Sequence, residues 1–433
     1  MSLDQMRHDQ TSHDRRQFLL LSASAGLGTG LAARTEQRST PRPPAPQVAD
    51  HRPCVHPNGA TLPWKLVNGV KVGHLVVQPV RHEFAPGLAA NCWGYNGGVH
   101  GPLIEAVEGD RVRIYVTNKL DAPTTVHWHG VHLPNGMDGV GGLTQRSIEP
   151  GETFRYEFTL KRPGTFMYHS HHDEMVQMAM GLMGMFVVHP QQPSGPLPDR
   201  DFVYMLSEWA LAVGTERPDP NEMTDFNVLT FNGKVFPATA PMVVKTGQRV
   251  RIRIGNLSAM DSHPIHLHGH SFTVIETDGG QVPESARWPE TTVLVAPGQT
   301  RVVEFVADTP GDWAMHCHMT HHVMTQMGHG IPNLAGVDPS VFDEKLAAVL
   351  PGYAEMGKQH DPMGTDETLP KNSLPMVGGQ GGFGYVTMGG MVTVLKVRDK
   401  LANYDDPGFY VHPQDSVAAP ASREDLTRDG IGG

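Results

Sequence analysis

The sequence is poor in cysteine, in long apolar runs and in positive charge. Three cysteines in 433 residues are too few for the disulfide framework of a small secreted scaffold. Lys and Arg number 34 against 45 Asp and Glu, which gives a formal net charge of −11. This balance argues against a nucleic-acid groove or an anionic membrane surface as the partner.

Aromatic residues are also scarce at 7%, whereas glycine and proline are abundant, with 48 and 36 residues. This composition suits a turn-rich, all-β protein. A chain of 433 residues can bury a large core and is long enough for two or three domains.

The N-terminus has the pattern of an export signal. Arg15 and Arg16 precede an apolar, small-residue run from Leu19 to Ala33, which is typical of a twin-arginine signal. The run is too short and too rich in Gly and Ala for a membrane span. We expect cleavage near Ala32 or Ala33, which removes residues 1–33 and leaves a periplasmic or secreted protein without a membrane anchor. The alternative is an uncleaved anchor.

After the signal, residues 34–59 are rich in Pro, Arg, Gln and Ser and predict a linker. An internal repeat follows. The stretch Glu108–Asn118 is echoed by Thr246–Asn256, and Pro150–Phe158 is echoed by Pro297–Phe305. Each copy combines short alternating strands with a nearby His-X-His, so the repeat predicts two β-sandwiches of the same kind.

The repeat sets the expected domain boundaries. We predict a first domain over residues 60–192, a second over 200–338 and a C-terminal extension over 339–433. Within the extension, Met391–Arg398 alternates well enough to be one more strand. Gly378–Met391 is rich in Gly and Met and predicts a loop.

The most informative stretch is the tripeptide His316-Cys317-His318. If a strand ends here, its period of two sends both histidines to one face and Cys317 to the other. On the Cys317 side, His322 and Met327 follow at short offsets, and His263 is the best source of a second imidazole. A thiolate, two imidazoles and a thioether form a blue-copper electron-transfer site.

Four His-X-His pairs occur along the chain, and one of them encloses the cysteine. A single pair is weak evidence for a metal site, but four pairs in this order are strong evidence for one. The pairs are His127/His129, His169/His171, His266/His268 and His316/His318. With these residues the sequence resembles the multicopper oxidases, laccase-like enzymes, over roughly residues 60–335.

The resemblance implies two cupredoxin-like Greek-key β-sandwich domains and four copper ions per functional unit. It assigns a type 1 copper to His263, Cys317, His322 and Met327. It assigns the type 2 copper to His127 and His266, and the type 3 pair to His129, His169, His171, His268, His316 and His318. Neutral imidazoles suit copper in both valences.

The resemblance also implies a reaction. A small reducing substrate, such as a phenol, an aromatic amine or a metal ion, gives single electrons to the type 1 copper. Four electrons then reduce O2 to water at the three-copper cluster. Cys317 links the two sites covalently, and His322 is expected nearest the donor. Asp138 resembles the family's acidic residue beside the type 2 copper, although a capped Asp-Gly turn is the competing interpretation.

The chain has no room for the third sandwich of the common laccases. Two-domain members of the family assemble a homotrimer, in which domain 1 of one chain faces domain 2 of the next. We therefore expect a homotrimer closed by a cyclic, heterologous interface.

Several alternatives stay open at this point. Six methionines crowd the segment around the second His-X-His pair and suit either a cuprous-ion oxidase or ordinary core packing, which we favour. They are Met167, Met175, Met178, Met180, Met183 and Met185. A copper nitrite reductase would carry the cysteine in domain 1, where Ser170 stands instead. A copper-sequestering protein remains a further option.

Cys54 and Cys92 pose a separate question, because they could pair in an oxidising compartment. Two unrelated thiols are the preferred interpretation.

Overall fold

The computed structural model describes residues 51–323, apart from 213 and 225, and residues 378–431, apart from 387. Strands dominate this part of the chain, and its two α-helices are short: α1 (Glu174–Ala179) and α2 (Arg423–Arg428). No helix among the described residues is long and apolar enough to cross a membrane. The all-β prediction is confirmed.

The first β-sandwich is built from eight strands. They are β1 (Lys65–Val67), β2 (Val70–Ala85), β3 (Leu88–Tyr95), β4 (Ile104–Val107), β5 (Arg111–Asn118), β6 (Thr153–Thr159), β7 (Gly164–His169) and β8 (Met183–His189). One sheet has the order β1-β2-β5-β6 with β3 also on β2, and the other has the order β4-β8-β7. Val112, Ile114 and Val116 alternate along β5 and are buried, so this strand turns one face to the core.

The second β-sandwich takes most of its strands from the middle of the chain. They are β9 (Arg200–Trp209), β10 (Val228–Phe231), β11 (Met242–Lys245), β12 (Arg249–Asn256), β13 (His263–Leu267), β14 (Phe272–Thr277), β15 (Gly280–Gln281), β16 (Pro289–Glu290), β17 (Thr292–Val295), β18 (Thr300–Val306) and β19 (Gly311–Cys317). One sheet has the order β10-β9-β12-β18-β14-β15, with β16 on β14.

The C-terminal region completes this second sandwich. Gly379–Gly381 (β20) and Gly384–Val386 (β21) form a hairpin within the predicted Gly/Met-rich loop, and Val392–Arg398 is β22. The second sheet has the order β11-β22-β19-β13-β17. The strand predicted in the extension therefore exists and lies inside the second sandwich, beside the strand that ends in Cys317.

The internal repeat of the sequence corresponds to a repeat of structure. β5 runs antiparallel to β6 and parallel to β2, while β12 runs antiparallel to β18 and parallel to β9. In the first copy Arg113 pairs with Glu157 at 2.6 Å, and in the second Arg251 pairs with Glu304 at 2.8 Å. The arginines and glutamates of the two echoed stretches therefore make the same cross-strand ion pair.

The N-terminal arm is bound to the sandwiches from His51 onward. Val55 forms a bridge with Phe202 of β9, and Cys54 is buried. This part of the expected linker is therefore anchored, whereas residues 34–50 lie outside the described part. Cys54 and Cys92 are separate free thiols, as preferred from the sequence.

A buried ion network joins the two sandwiches. Arg253 of β12 is 1% exposed and makes two bonds of 2.9 Å to Asp201 on β9. It also donates to the Thr165 hydroxyl of β7 at 2.7 Å, and Glu276 lies 3.4 Å away. Two buried carboxylates therefore share the Arg253 guanidinium, and Arg251 lies 3.9 Å from Asp201 as a second, more distant cation.

Replacing Arg253 tests this network. Arg253→Met removes the cation that contacts both buried carboxylates and leaves only the more distant Arg251 beside Asp201. We therefore expect the free energy of unfolding to fall by about 3–5 kcal/mol, measured by urea titration. Arg111→Met is the matched control, because Arg111 is largely exposed and pairs with Glu157 at the surface. It should cost less than about 1 kcal/mol. Equal stability of the two variants would contradict the assignment.

Candidate metal centre

Strand β19 presents chemistry on both of its faces. It lies between β13 and β22, with Ile265 opposite Cys317 and His266 opposite His316. Cys317 is fully buried in the core of the second sandwich. The rings of His316 and His318 lie beside His266 on the other face. One tripeptide thus belongs to two separate groups of side chains.

The first group is the Cys317 site. The Cys317 Sγ lies 3.7 Å from Nδ1 of His263 and 3.5 Å from Nδ1 of His322. The two Nδ1 atoms are 3.1 Å apart. His263 begins β13, His322 lies in a 3-10 turn over Thr320–Val323, and all three side chains are buried. Met327 lies outside the described residues.

The protonation of the Cys317 site suits a metal ion. Burial lowers the pKa of His263 to about 3 and raises the pKa of the Cys317 thiol to about 12. The imidazole is therefore neutral, and its Nε2 bonds to the Ser258 hydroxyl at 2.7 Å. When Nε2 donates this bond, Nδ1 keeps a lone pair for a metal. The thiol keeps its proton until a metal displaces it.

The geometry of this donor set fits copper. Metal–ligand bonds of about 2.0–2.3 Å to a single ion hold neighbouring donor atoms on the order of 3–4 Å apart, as the three atoms here are. Two imidazoles and one thiolate in a buried, trigonal arrangement are the donors of a blue-copper site.

The second group is the domain 2 quartet, which consists of His266, His268, His316 and His318. Its rings lie 4.9–5.7 Å apart, centroid to centroid. Nε2 of His268 and Nε2 of His316 approach to 3.1 Å. His268 and His318 are exposed, so this quartet lies open at the surface of the chain.

The third group is the domain 1 quartet, which consists of His127, His129, His169 and His171. His127 and His169 exchange backbone hydrogen bonds of 2.8 and 3.1 Å, and Nδ1 of His129 lies 3.3 Å from Nε2 of His169. Burial lowers the pKa of His169 to about 3. Burial also lowers the pKa of His129 in this quartet and of His268 and His316 in the domain 2 quartet.

The two quartets are oriented by the same hydrogen bonds. Nδ1 of His169 and Nδ1 of His316 each donate to the carbonyl of the following residue at 2.8 Å. Nδ1 of His127 donates to the Asp138 carbonyl at 2.8 Å, and Nδ1 of His266 donates to the Thr291 carbonyl at 2.7 Å. Because a carbonyl only accepts, each ring carries its proton on Nδ1 and leaves Nε2 free for a metal.

Within one chain the two quartets do not meet. Every ring contact among these eight histidines, all of them described, joins two members of the same quartet. The domain 1 quartet contacts the second sandwich through His129, whose Nε2 donates to the Gly298 carbonyl at 2.9 Å. The chain thus carries two separate groups of four histidines.

Carboxylates border these groups. An Asp138 carboxylate oxygen lies 3.5 Å from Nδ1 of His127. Asp138 also caps the 3-10 turn over Asn135–Met137. The residue therefore lies beside His127 and also belongs to a capped turn. Gly139 has a φ of +83°, and a Cβ there would collide with the Val126 carbonyl. Only glycine lets the turn approach the His127 backbone so closely.

Two further acids were not found from the sequence. Glu174, in the first turn of α1, lies 3.5 Å from His169 and 3.8 Å from His171. Asp261 lies 3.4 Å from Nε2 of His322. Glu174 follows His171 by three residues, and this short spacing is the only local signal that could have identified it.

The neighbouring histidines make other contacts. His132 accepts from Arg162 at 3.1 Å, His172 bonds to Ser147 at 2.9 Å, and His270 donates to the His268 carbonyl at 3.2 Å. These three histidines therefore lie outside the Cys317 site and outside both quartets.

Of the six crowded methionines, Met167, Met180, Met183 and Met185 are buried, and Met175 is 59% exposed. Packing is therefore their main role, as favoured from the sequence.

Comparisons with known proteins identify the family of the chain. Residues 76–193 and 212–335 match two multicopper oxidase profiles. Multicopper oxidase MmcO of Mycobacterium tuberculosis is 32% identical over 310 residues, covering 63% of this chain and 57% of that protein. Laccase-1 of Fomitopsis schrenkii is 37% identical over 204 residues, covering 42% of this chain and 36% of that protein. The chain therefore spans less than two thirds of the length of either relative.

Among solved structures, the blue copper oxidase from Nitrosomonas europaea superposes with a TM-score of 0.57 at 27% identity. The match covers 75% of this chain and 85% of that one. The two sandwiches are therefore cupredoxin-like, as predicted. The chain belongs to the multicopper oxidase family, whose members are copper-dependent oxidoreductases.

Proposed function

We propose that this protein oxidises a small reducing substrate one electron at a time and uses the electrons to reduce O2 to water. The observation that carries the proposal is the placement of Cys317 and its two neighbouring histidines on opposite faces of β19. His263, Cys317 and His322, with Met327, would hold a type 1 copper. The two quartets would hold one type 2 and two type 3 coppers.

Copper bound at these positions supplies one-electron redox chemistry and the reduction of dioxygen. The chain supplies position, shielding and a covalent path. From the Cys317 sulfur, the backbone leads directly to His316 on one side and to His318 on the other, so few bonds separate the buried thiol from the domain 2 quartet. Burial of Cys317 and His263 keeps water from the sulfur.

The donor would approach His322. Its Nδ1 faces Cys317, and its Nε2 faces outward to Asp261, whose side chain is 34% exposed. A partly exposed carboxylate beside this ring accepts a hydrogen bond from a phenol or an aromatic amine. Phenols and aromatic amines are therefore the favoured donors.

Cuprous or other metal ions are the second candidate donors. Most of the crowded methionines are buried, so they do not form a surface path for Cu(I).

The oxygen-reducing site would form between chains. Each chain carries both half sites, but the quartets do not meet within it, and the domain 2 quartet is open to solvent at His268 and His318. A homotrimer in which each domain 1 faces the next domain 2 brings eight histidines together at every interface.

Reduction of O2 to water consumes protons, and two carboxylates are placed to supply them. Asp138 lies beside His127, and Glu174 lies between His169 and His171. Both belong to domain 1, so each assembled site would receive its protons from that side.

Export is the last element of the proposal. Arg15, Arg16 and the apolar run that follows would direct the folded chain through the twin-arginine route to the periplasm or beyond. These residues lie outside the described part of the chain.

Oxygen uptake by the copper-loaded protein tests the reaction. With a dimethoxyphenol as donor, wild type should consume O2 continuously, and Cys317→Ser should lose at least about 10³-fold in rate, because the thiolate ligand and the covalent path are both removed. The Ser variant should also lose the intense blue absorption of a copper–thiolate bond. The control is His132→Gln, which changes a flanking histidine and should leave the rate unchanged.

The choice of donor separates the candidates. If the protein consumes O2 with Cu(I) but not with the phenol, the physiological donor is a metal ion and the phenol proposal is wrong. If neither donor supports O2 consumption beyond a single turnover, the proposed oxidase activity is wrong and copper sequestration is the function that remains.

Glu208 provides a pH-dependent prediction. Burial, together with the charge of the neighbouring Asp261 carboxylate, raises the pKa of the Glu208 carboxyl from its ordinary 4.5 to about 8. Between these values the folded chain keeps a proton that the unfolded chain loses. The free energy of unfolding should therefore fall as pH rises through this window.

Glu208→Gln should remove this fall, because the amide cannot ionise. We measure the free energy of unfolding of the copper-free protein with urea. Between about pH 5 and about pH 8 it should fall by about 1–3 kcal/mol less in the variant than in wild type. Glu284→Gln, at an exposed glutamate, is the control and should keep the wild-type slope. An unchanged slope in Glu208→Gln would contradict the assignment.

A further inference from the structure

A second group of metal-ligating side chains lies where the N-terminal arm meets the first sandwich. Its members come from three parts of the chain: His51 and Cys54 from the arm, Glu105 from β4 and His189 from the end of β8. None of them belongs to the Cys317 site or to either histidine quartet. We propose that these four residues bind a zinc ion, which fastens the arm to the sheet.

The donor atoms already converge. One ligand atom from each of His51, Glu105 and His189 lies within 4.8 Å of the others. Nε2 of His189 donates a hydrogen bond of 2.7 Å to a Glu105 carboxylate oxygen and lies 3.9 Å from the Cys54 sulfur. A bound ion would replace the proton of this hydrogen bond and move the two atoms slightly apart. Separations on the order of 3–4 Å are those that a tetrahedral ion with bonds of about 2.0–2.3 Å holds between its ligands.

One nitrogen of the group lacks a hydrogen-bond partner. Nδ1 of His51 is buried and has no hydrogen-bond partner among the described residues. A buried nitrogen without a partner is costly, and a metal bond is one way to satisfy it. The His51 ring stacks on the His189 ring at 4.5 Å, so both imidazoles are held beside the carboxylate.

The charges of the group suit a divalent cation. Burial raises the pKa of Glu105, but hydrogen bonds from His189 and from the Cys54 amide outweigh it and lower the pKa overall. The carboxylate is therefore ionised before the metal arrives. Burial raises the pKa of the Cys54 thiol, so the metal would displace the thiol proton. One carboxylate and one thiolate then balance a charge of +2.

The ligand set favours zinc. Cys, His and carboxylate ligands in a tetrahedral arrangement are typical of zinc, which has no redox chemistry of its own. His51 and His189 also line a cavity of about 260 Å³, through which an ion can enter. The arm next to the site bridges to the second sandwich through Val55 and Phe202. The ion would thus tie together the arm and both domains.

The test uses the full copper-loaded protein, so that the copper-binding residues are occupied before zinc is added. After equilibration with zinc and dialysis, the zinc and copper contents per chain are measured by elemental mass spectrometry. Three variants are compared with wild type. His51→Gln removes a ligand that is only partly buried, Cys54→Ser removes the thiolate, and His74→Gln is the control at an exposed histidine.

We expect wild type and the control to retain about one zinc per chain and to gain thermal stability from it. His51→Gln should bind zinc at least about tenfold more weakly, while it keeps its copper content and its fold. His51→Gln is sufficient to test the proposal if Cys54→Ser fails to fold.

Three results would overturn the proposal. The first is the absence of retained zinc in wild type, and the second is equal retention by His51→Gln. The third is an additional copper that is lost in His51→Gln while no zinc is retained, which would mean that the site is not a zinc site.

Discussion

The structure depends on the alternation of a single strand. Because β19 has a period of two, Cys317 faces the core while His316 and His318 face outward. Any shift of register by one residue would exchange these faces and destroy both sites. Register is held on both sides: the Cys317 amide donates to the Met391 carbonyl, and the His318 amide donates to the Pro264 carbonyl.

The C-terminal segment contributes more to this constraint than its position in the chain suggests. β22 pairs with β19 over most of its length. The Met391 amide also donates to the His322 carbonyl at 3.0 Å. One buried residue thus connects the strand that carries Cys317 to the turn that carries His322. The separation between the donor atoms of the Cys317 site is therefore set by a segment that contains none of its donors.

Much of this could be predicted from the sequence, because metal ligands near one another in sequence keep their spacing in space. The four His-X-His pairs, the offset of His322 and the echo of Arg-X-Arg with a distant glutamate are local or repeated signals. Long-range partners leave no such signal. Asp261 contacts His322 across 61 positions of the sequence. Ser258 and Glu174 lie close in sequence to His263 and His171, but their side chains are positioned by a loop and by helix α1, whose course the sequence does not reveal. The cluster of His51, Cys54, Glu105 and His189 is assembled from three separate segments, so it was missed for the same reason.

The central claim is that each chain holds two half sites that are completed between chains. It can be tested by co-expressing two inactive chains with different tags, one carrying His127→Ala and His169→Ala, the other His266→Ala and His268→Ala. Mixed trimers purified through both tags contain one intact interface of three. We therefore predict about one third of the wild-type oxygen uptake per chain, although each chain alone is inactive. No recovery of activity in the mixed trimers would show that both quartets must come from the same chain and would contradict the account.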